Sequence, residues 1–188
     1  ETVKEFSLKI GTALKRMEQL IQSMLKITRI DAGSIYFEKS NYSIPNIINH
    51  AISELTTRAD NEKKEIVIDG DLEQMLYCDI EWTGEAIGNI IKNVLDHTDT
   101  GGKISISWEQ TPAMIRIFIT DNGHGISQED IHHIFKRFYR SKNTSESQGI
   151  GLGLPLAKAI VEGQGGILSV QSERLQGTTF TLSFLTES

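Results

Sequence analysis

An α+β fold, with a mixed but mainly antiparallel sheet covered on one face by helices and one long helix in front, is predicted by three features of the chain. Strand-like stretches at 103–120 and 167–185 come as consecutive pairs joined by short turns, so helices and strands are segregated rather than strictly alternating. Helical periodicity is concentrated in other stretches. The first thirty residues carry an unbroken heptad pattern.

Taken in order, residues 2–30 read as one helix. Val3, Ile10, Met17 and Met24 fall at position a, and Phe6, Ala13, Leu20 and Ile27 at d, with Leu14 and Ile21 widening the stripe. A helix of roughly 40 Å at 1.5 Å per residue overhangs a domain of this size, so the stripe predicts packing along another helix. Gly33 suits the C′ position that ends it. Ile35 to Lys39 reads as a short strand. Ser43 is a candidate N-cap and Pro45 a first-turn residue for a helix reaching about Asn61. Ile66–Ile68 and Met75–Cys78 read as strands separated by Asp69-Gly70-Asp71 turn chemistry. Asp79 caps a helix running to His97. Lys103–Glu109 and Met114–Thr120 form a hairpin through Pro112, and the second strand delivers Asp121. Ser127 and Asp130 look like a capping box for a helix over 128–134. A helix over 152–164 stops at Gly165-Gly166, and strands at 167–172 and 178–185 close the chain.

Composition narrows the function classes. With 38% hydrophobic residues in 188, the chain can bury a real core. A net charge of −6 argues against charge-driven nucleic-acid binding. Cys78 is the only cysteine, which excludes an internal disulfide and a cysteine-rich metal site and is consistent with a reducing cytosol. No apolar run approaches the ~20 residues of a membrane span, so no membrane contact is expected of this segment.

The most informative stretch runs from Asp121 to Gly153. Gly123 and Gly125 follow a strand, and Gly149, Gly151 and Gly153 precede a helix, with a basic, aromatic and then polar segment between. Glycines permit close backbone approach to a ligand, and a helix start offers free N–H groups to phosphate. Asp121, emerging from a strand end, suits an amino group such as adenine N6. Together these predict an ATP site, although a strand-to-helix turn would explain either cluster alone. The second cluster is not a dinucleotide fingerprint, because residues 143–148 before it read as loop rather than strand.

On the 79–97 helix, Glu85, Asn89, Asn93 and His97 share one face. Solvent exposure accounts for Glu85. Asn89 and Asn93, flanked by isoleucine and valine, read as lining a site, and an amide oxygen is a usable ligand for Mg2+.

Five segments in this order resemble the motifs of sensor histidine kinases: Asn89 to Asn93, Asp121 to Gly125, Phe135 to Arg140, Gly149 to Leu154, and Gly177 to Phe180. Arg29 to Gly33 is similar to the end of the second helix of the family's dimerisation and phosphoacceptor hairpin. The resemblance implies the Bergerat-type ATP-binding sandwich shared with type II topoisomerases, a mismatch-repair ATPase and a heat-shock chaperone. It divides the chain into a hairpin helix (1–33) and a catalytic ATP-binding domain (34–188). It implies ATP and Mg2+ as ligands, with Asp121 on adenine N6 and Asn93 carrying Mg2+ beside Asn89. Gly123, Gly125, Ile126 and Thr178 are then nucleotide-binding; His97 stands where the chain departs from the motif, and reads either as flanking the nucleotide or as a partly exposed histidine at the helix end. Gly149, Gly151, Leu152 and Gly153 meet the phosphates at the helix start. Residues 136–148 become a lid in which Arg137, Arg140 and Lys142 reach phosphates, anchored by Phe135 and Phe138. Where hydrolysing relatives carry a glutamate base, this chain has Asn89. An amide takes no proton at neutral pH, which favours transfer to a histidine over water attack.

Two departures stand out. Many members carry Lys and Tyr where this chain has Asp96 and His97, so a phosphate-contacting lysine is missing. No His-Glu-x-x-Thr/Asn-Pro acceptor box is present around His50, His97, His124, His132 or His133. The expectation is a fragment lacking the first hairpin helix, able to bind ATP but not to phosphorylate itself. The partners implied are an acceptor-histidine hairpin, a response-regulator receiver domain and a second copy of the chain through helix 2–30. The setting implied is the cytoplasmic part of a membrane-anchored bacterial sensor. Two other readings stay open: an ATP-driven clamp, disfavoured by Asn89, and a nucleotide-dependent dimerisation or regulatory module without catalysis, for which Asp96 leaves room.

Overall fold

The computed structural model describes residues 2–141 and 149–186. Helix α1 (Val3–Asp31) is the predicted long helix. Only its C-terminal turns are packed: Ile27 is buried, and Leu20, Met24 and Ile30 lie against the core. Phe6, Ile10, Leu14, Met17 and Ile21, on the heptad stripe, stay exposed. Ion pairs that tie α1 to the rest of the fold include Lys26 to Glu85 at 2.5 Å and Asp31 to Arg137.

The next segment departs from expectation. Residues 35–39 alternate in burial but join no sheet; the strand is β1 (Ser40–Ser43). The extended segment is anchored instead by Phe37 packing edge-on to Trp82 at 5.8 Å, and by the Glu38 N–H donating to Asp79 Oδ2 at 2.9 Å. Ser43 stands at the N-cap of α2 (Ile44–Ile52), yet its side chain makes no cap bond. The Ile44 N–H is met by the Gln74 carbonyl at 2.9 Å. The predicted helix to Asn61 is broken at residues 53–55 and resumes as α3 (Thr56–Asn61).

Strands β2 (Glu65–Asp69) and β3 (Met75–Cys78) are adjacent in sequence but enter different sheets. β3 pairs with β1, antiparallel. The main sheet comprises β2, β4 (Lys103–Gln110), β5 (Met114–Asp121), β6 (Ile167–Glu173) and β7 (Gly177–Leu185), in the order β2-β4-β5-β7-β6. The β2–β4 pair is parallel and the others antiparallel, which makes the sheet mixed as predicted.

Strand alternation decides which face is covered. Ile104, Ile106 and Trp108 of β4, Ile117 and Ile119 of β5, and Phe180, Leu182 and Phe184 of β7 are buried beneath the helical layer. That layer includes α2, α4 (Ile80–His97) and α6 (Gly153–Gly163), whose Ile47, Ile48, Ile87, Ile90, Ile91 and Ile160 complete the core. Ser105, Ser107, Thr120, Thr179 and Thr181 face the other way and are only partly buried. The short α5 (Gln128–Ile131) ends three residues earlier than expected. Its capping box is half formed. Ser127 Oγ accepts the Asp130 N–H at 3.1 Å, but Asp130 turns its carboxylate to the Ser127 hydroxyl instead of the Ser127 N–H.

Candidate nucleotide-binding site

Because Ile115, Ile117 and Ile119 of β5 point into the core, period-two alternation puts Asp121 on the same buried face at the strand's end. Its carboxylate is 5% exposed and accepts the Gly123 N–H at 2.8 Å. Burial pushes its pKa above the ordinary 3.8, against the pull of the Gly123 and Thr178 backbone N–H groups. A buried carboxylate with acceptor capacity left suits an amino group brought by a ligand.

Opposite Asp121 on β7 sits Thr178, and the two face one cavity of about 420 Å³. Gly125, Ile126, His97, Asn93, Arg140, Gly149 and Gly151 also line it. Gly123 is buried behind this wall and is not among the lining residues. Ser172 was not singled out from the sequence, yet it organises this corner. Its hydroxyl accepts the Ile126 N–H at 2.7 Å and donates to the Gly177 carbonyl at 2.8 Å. With that one proton committed, Thr178 is the donor in the 3.0 Å contact between their hydroxyls, and its lone pairs are left over.

The cavity continues into a cleft of about 1010 Å³ between α1 and α4. Asn93, Gly149 and Gly151 line both spaces, while Asn89, Leu152 and Gly153 line the cleft. Asn89 Nδ2 donates to the Glu85 carbonyl at 2.9 Å, and its Oδ1 lies beside Gly153. Helix α6 opens at Gly153, and its N-cap residue Leu152 makes no side-chain cap bond to the first N–H groups. A pocket holding a carboxylate at one end and an uncapped helix start with two amides at the other matches a ligand that has an amino-bearing ring and an anionic tail. Asn93, half-buried at the junction, presents a hard amide oxygen of the kind that would hold a Mg2+.

Several predicted residues stand differently. Glu85 is not merely solvated; it is the partner of Lys26, which also lies 5.8 Å from the Trp82 ring. Arg137 turns to Asp31 and lines neither space, whereas Arg140 lines the smaller cavity. Lys142 lies outside the described residues. Phe135 packs against the core beneath Lys158, but Phe138 is exposed. Residues 139–141 are tethered instead at Asp130, which accepts from Ser141 Oγ at 2.6 Å and from the Tyr139 hydroxyl at 2.5 Å; those two donors hold its pKa low. Asp96, at the missing lysine's place, pairs with Arg58 of α3 at 2.6 Å. Burial is the main cause that holds the His97 pKa below 6.5, with His124 assisting and Asp96 opposing.

Residues 78–188 match the family described as histidine kinase-, DNA gyrase B- and HSP90-like ATPase. The heme sensor protein HssS of Staphylococcus saprophyticus is 34% identical over 174 residues, covering 90% of this chain and 36% of its own length. The Acinetobacter baumannii histidine kinase AdeS superposes with a TM-score of 0.84 at 18% identity, over 100% of this chain and 87% of its own. The histidine kinase ThkA, solved in complex with the response regulator TrrA, superposes with a TM-score of 0.77 at 20% identity, over 100% of this chain and 52% of that one. The chain spans less than half the length of the curated relatives it matches. No described helix is long and apolar enough to cross a membrane.

Proposed function

The chain belongs to the histidine kinase-, DNA gyrase B- and HSP90-like ATPase family and is similar to the catalytic domains of sensor histidine kinases, and from that premise we propose that it binds Mg2+-ATP and directs the γ-phosphoryl group to a histidine. One observation carries the reading: the Asp121 cavity runs past Asn93 and Gly149 into the cleft beside α1. In this assignment Asp121 accepts from adenine N6, with Ile126 and His97 beside the base and Thr178 beside Asp121. Gly149, Gly151, Leu152 and Gly153 present the start of α6 to the phosphates, and Arg140 approaches from the lid. Arg137 and Lys142 belong to the same lid, so Arg137 leaves Asp31 when it serves the phosphates.

Mg2+, held by Asn93, supplies charge neutralisation along the phosphate tail. Asn89 decides the fate of the γ-phosphoryl group. Its amide is oriented by the Glu85 carbonyl and has no basicity to activate water, so hydrolysis lacks a general base. An imidazole nitrogen is itself nucleophilic and needs positioning more than deprotonation. No residue of this chain sits in an acceptor box, so the acceptor is assigned to a hairpin of which residues 1–33 are the second helix, residues 34–188 being the catalytic domain. Onward transfer to a receiver domain, and residence on the cytoplasmic side of a membrane-anchored sensor, belong to the same reading. ThkA supports the receiver partnership by having been solved with its regulator.

The exposed stripe of Phe6, Ile10, Leu14, Met17 and Ile21 favours pairing of α1 with a second copy. Light scattering is expected to show mass rising with concentration; a monomer throughout contradicts the pairing. For the catalytic reading, the chain is mixed with a separate hairpin carrying an acceptor histidine and with Mg2+-ATP. Acid-labile phosphate on the hairpin is the expected result. Asp96 is the observation that favours the alternative, a nucleotide-dependent regulatory module; ATP binding with no phosphate transfer to any supplied hairpin would favour it.

A further inference from the structure

The tip of the β6–β7 hairpin leans over the mouth of the nucleotide cavity, where Arg174 and Leu175 both join its lining. It is held against the loop that follows Asp121. The Leu175 N–H donates to the His124 carbonyl at 2.8 Å, and a Cβ on Gly125, whose φ is +69°, would fall 2.2 Å from the Glu173 carbonyl oxygen. The tip therefore has a defined position relative to the buried carboxylate.

Leu175 combines two costs at that point. Its φ of 67° is left-handed, a region where the Cβ of an L-residue is crowded against the backbone and glycine is not strained. Its side chain is 79% exposed, so almost none of that cost is returned by burial in the fold. A glycine would make the same turn and the same bond to His124 with less strain. Strain that folding does not recover, at the lip of a cavity, is accounted for by a ligand that covers the side chain.

The geometry points to Leu175 as the outer wall of the nucleobase subsite, packing its side chain on the purine that Asp121 holds at its amino edge. This rests on the reading of the cavity as an adenine-nucleotide site and adds a specificity-determining residue to it. Asp121 reads one polar group of the base, while Leu175 excludes water from apolar ring surface that would otherwise stay wet. Its contribution is to the nucleoside, so it is the same for ADP and ATP.

The test is calorimetric titration of the full chain with Mg2+-ADP and Mg2+-ATP, beside thermal unfolding without nucleotide. Leu175→Gly is expected to keep or raise the unfolding midpoint and to weaken both nucleotides about fivefold, the order for one apolar side chain partly covered by a base. Leu175→Ala keeps the positive φ and is expected to lose affinity without gaining stability. Leu175→Met, which preserves volume, is expected to stay within about twofold of the parent. Unchanged affinity in both the glycine and alanine variants would overturn the assignment. So would a fall in midpoint that accompanies the loss, since that marks a structural role. Asp121→Ala separates the two readings. If it weakens binding about tenfold or more while the Leu175 variants bind normally, only the Leu175 assignment fails. If it too binds normally, the nucleotide site itself is misplaced.

Discussion

Asp121 and Gly177 meet backbone to backbone: a Cβ on Gly177 would fall 1.9 Å from the Asp121 carbonyl oxygen, and the Gly177 φ of +90° already lies where other residues are strained. The pairing of β5 with β7 thus brings the carboxylate and Thr178 to one wall only if residue 177 has no side chain. Gly177→Ala is expected to cost about 2 kcal/mol or more of stability, from left-handed strain and from displacement of one strand end. Denaturant unfolding reads the loss, and ADP titration of the remaining folded protein is expected to show weakened binding. A variant as stable as the parent would contradict the contact.

His97 makes stability depend on pH. Its folded pKa is lowered, so well above pH 6.5 the ring is neutral in both folded and unfolded chains and adds no dependence. As pH falls below 6.5, the unfolded chain takes up a proton that the folded site resists, and stability declines. Unfolding curves between pH 8 and pH 5 are expected to show this slope, and His97→Gln to flatten it. A slope unchanged by the substitution would assign the effect to other groups.

Cys78 offers a probe of the folded state. It is buried on β3, and burial pushes its thiol up to about 11. At pH 8 the native chain is expected to resist a thiol-specific alkylating reagent, and the denatured chain to react at once. Rapid labelling of folded protein would contradict the burial.

Much of this architecture was legible in the residues, and the exceptions have physical causes. β4, β5, β7, α4 and α6 were found because burial on one face imposes a period, and Asp121 was found because it continues that period as a charge. Alternation at residues 35–39 marks extended backbone, but the choice of sheet partner belongs to β3, which pairs one segment later. Nothing local announces that β2 runs parallel to β4, or that the helix after Ser43 breaks without a proline or glycine at residues 53–55. Ser172 was invisible for a similar reason: a strand serine acquires its role only through the register that sets it beside Thr178 and Ile126. Glu85 looks solvated in the sequence because its partner, Lys26, lies 59 residues away.

The central claim is tested most directly by titrating the Asp121→Ala chain with ADP in a calorimeter, with circular dichroism to show that it folds. Loss of one hydrogen bond to a buried charged acceptor is worth about 1.5–3 kcal/mol, so affinity is expected to fall roughly ten- to a hundredfold. Affinity equal to the parent's, in a folded Asp121→Ala protein, would contradict the account.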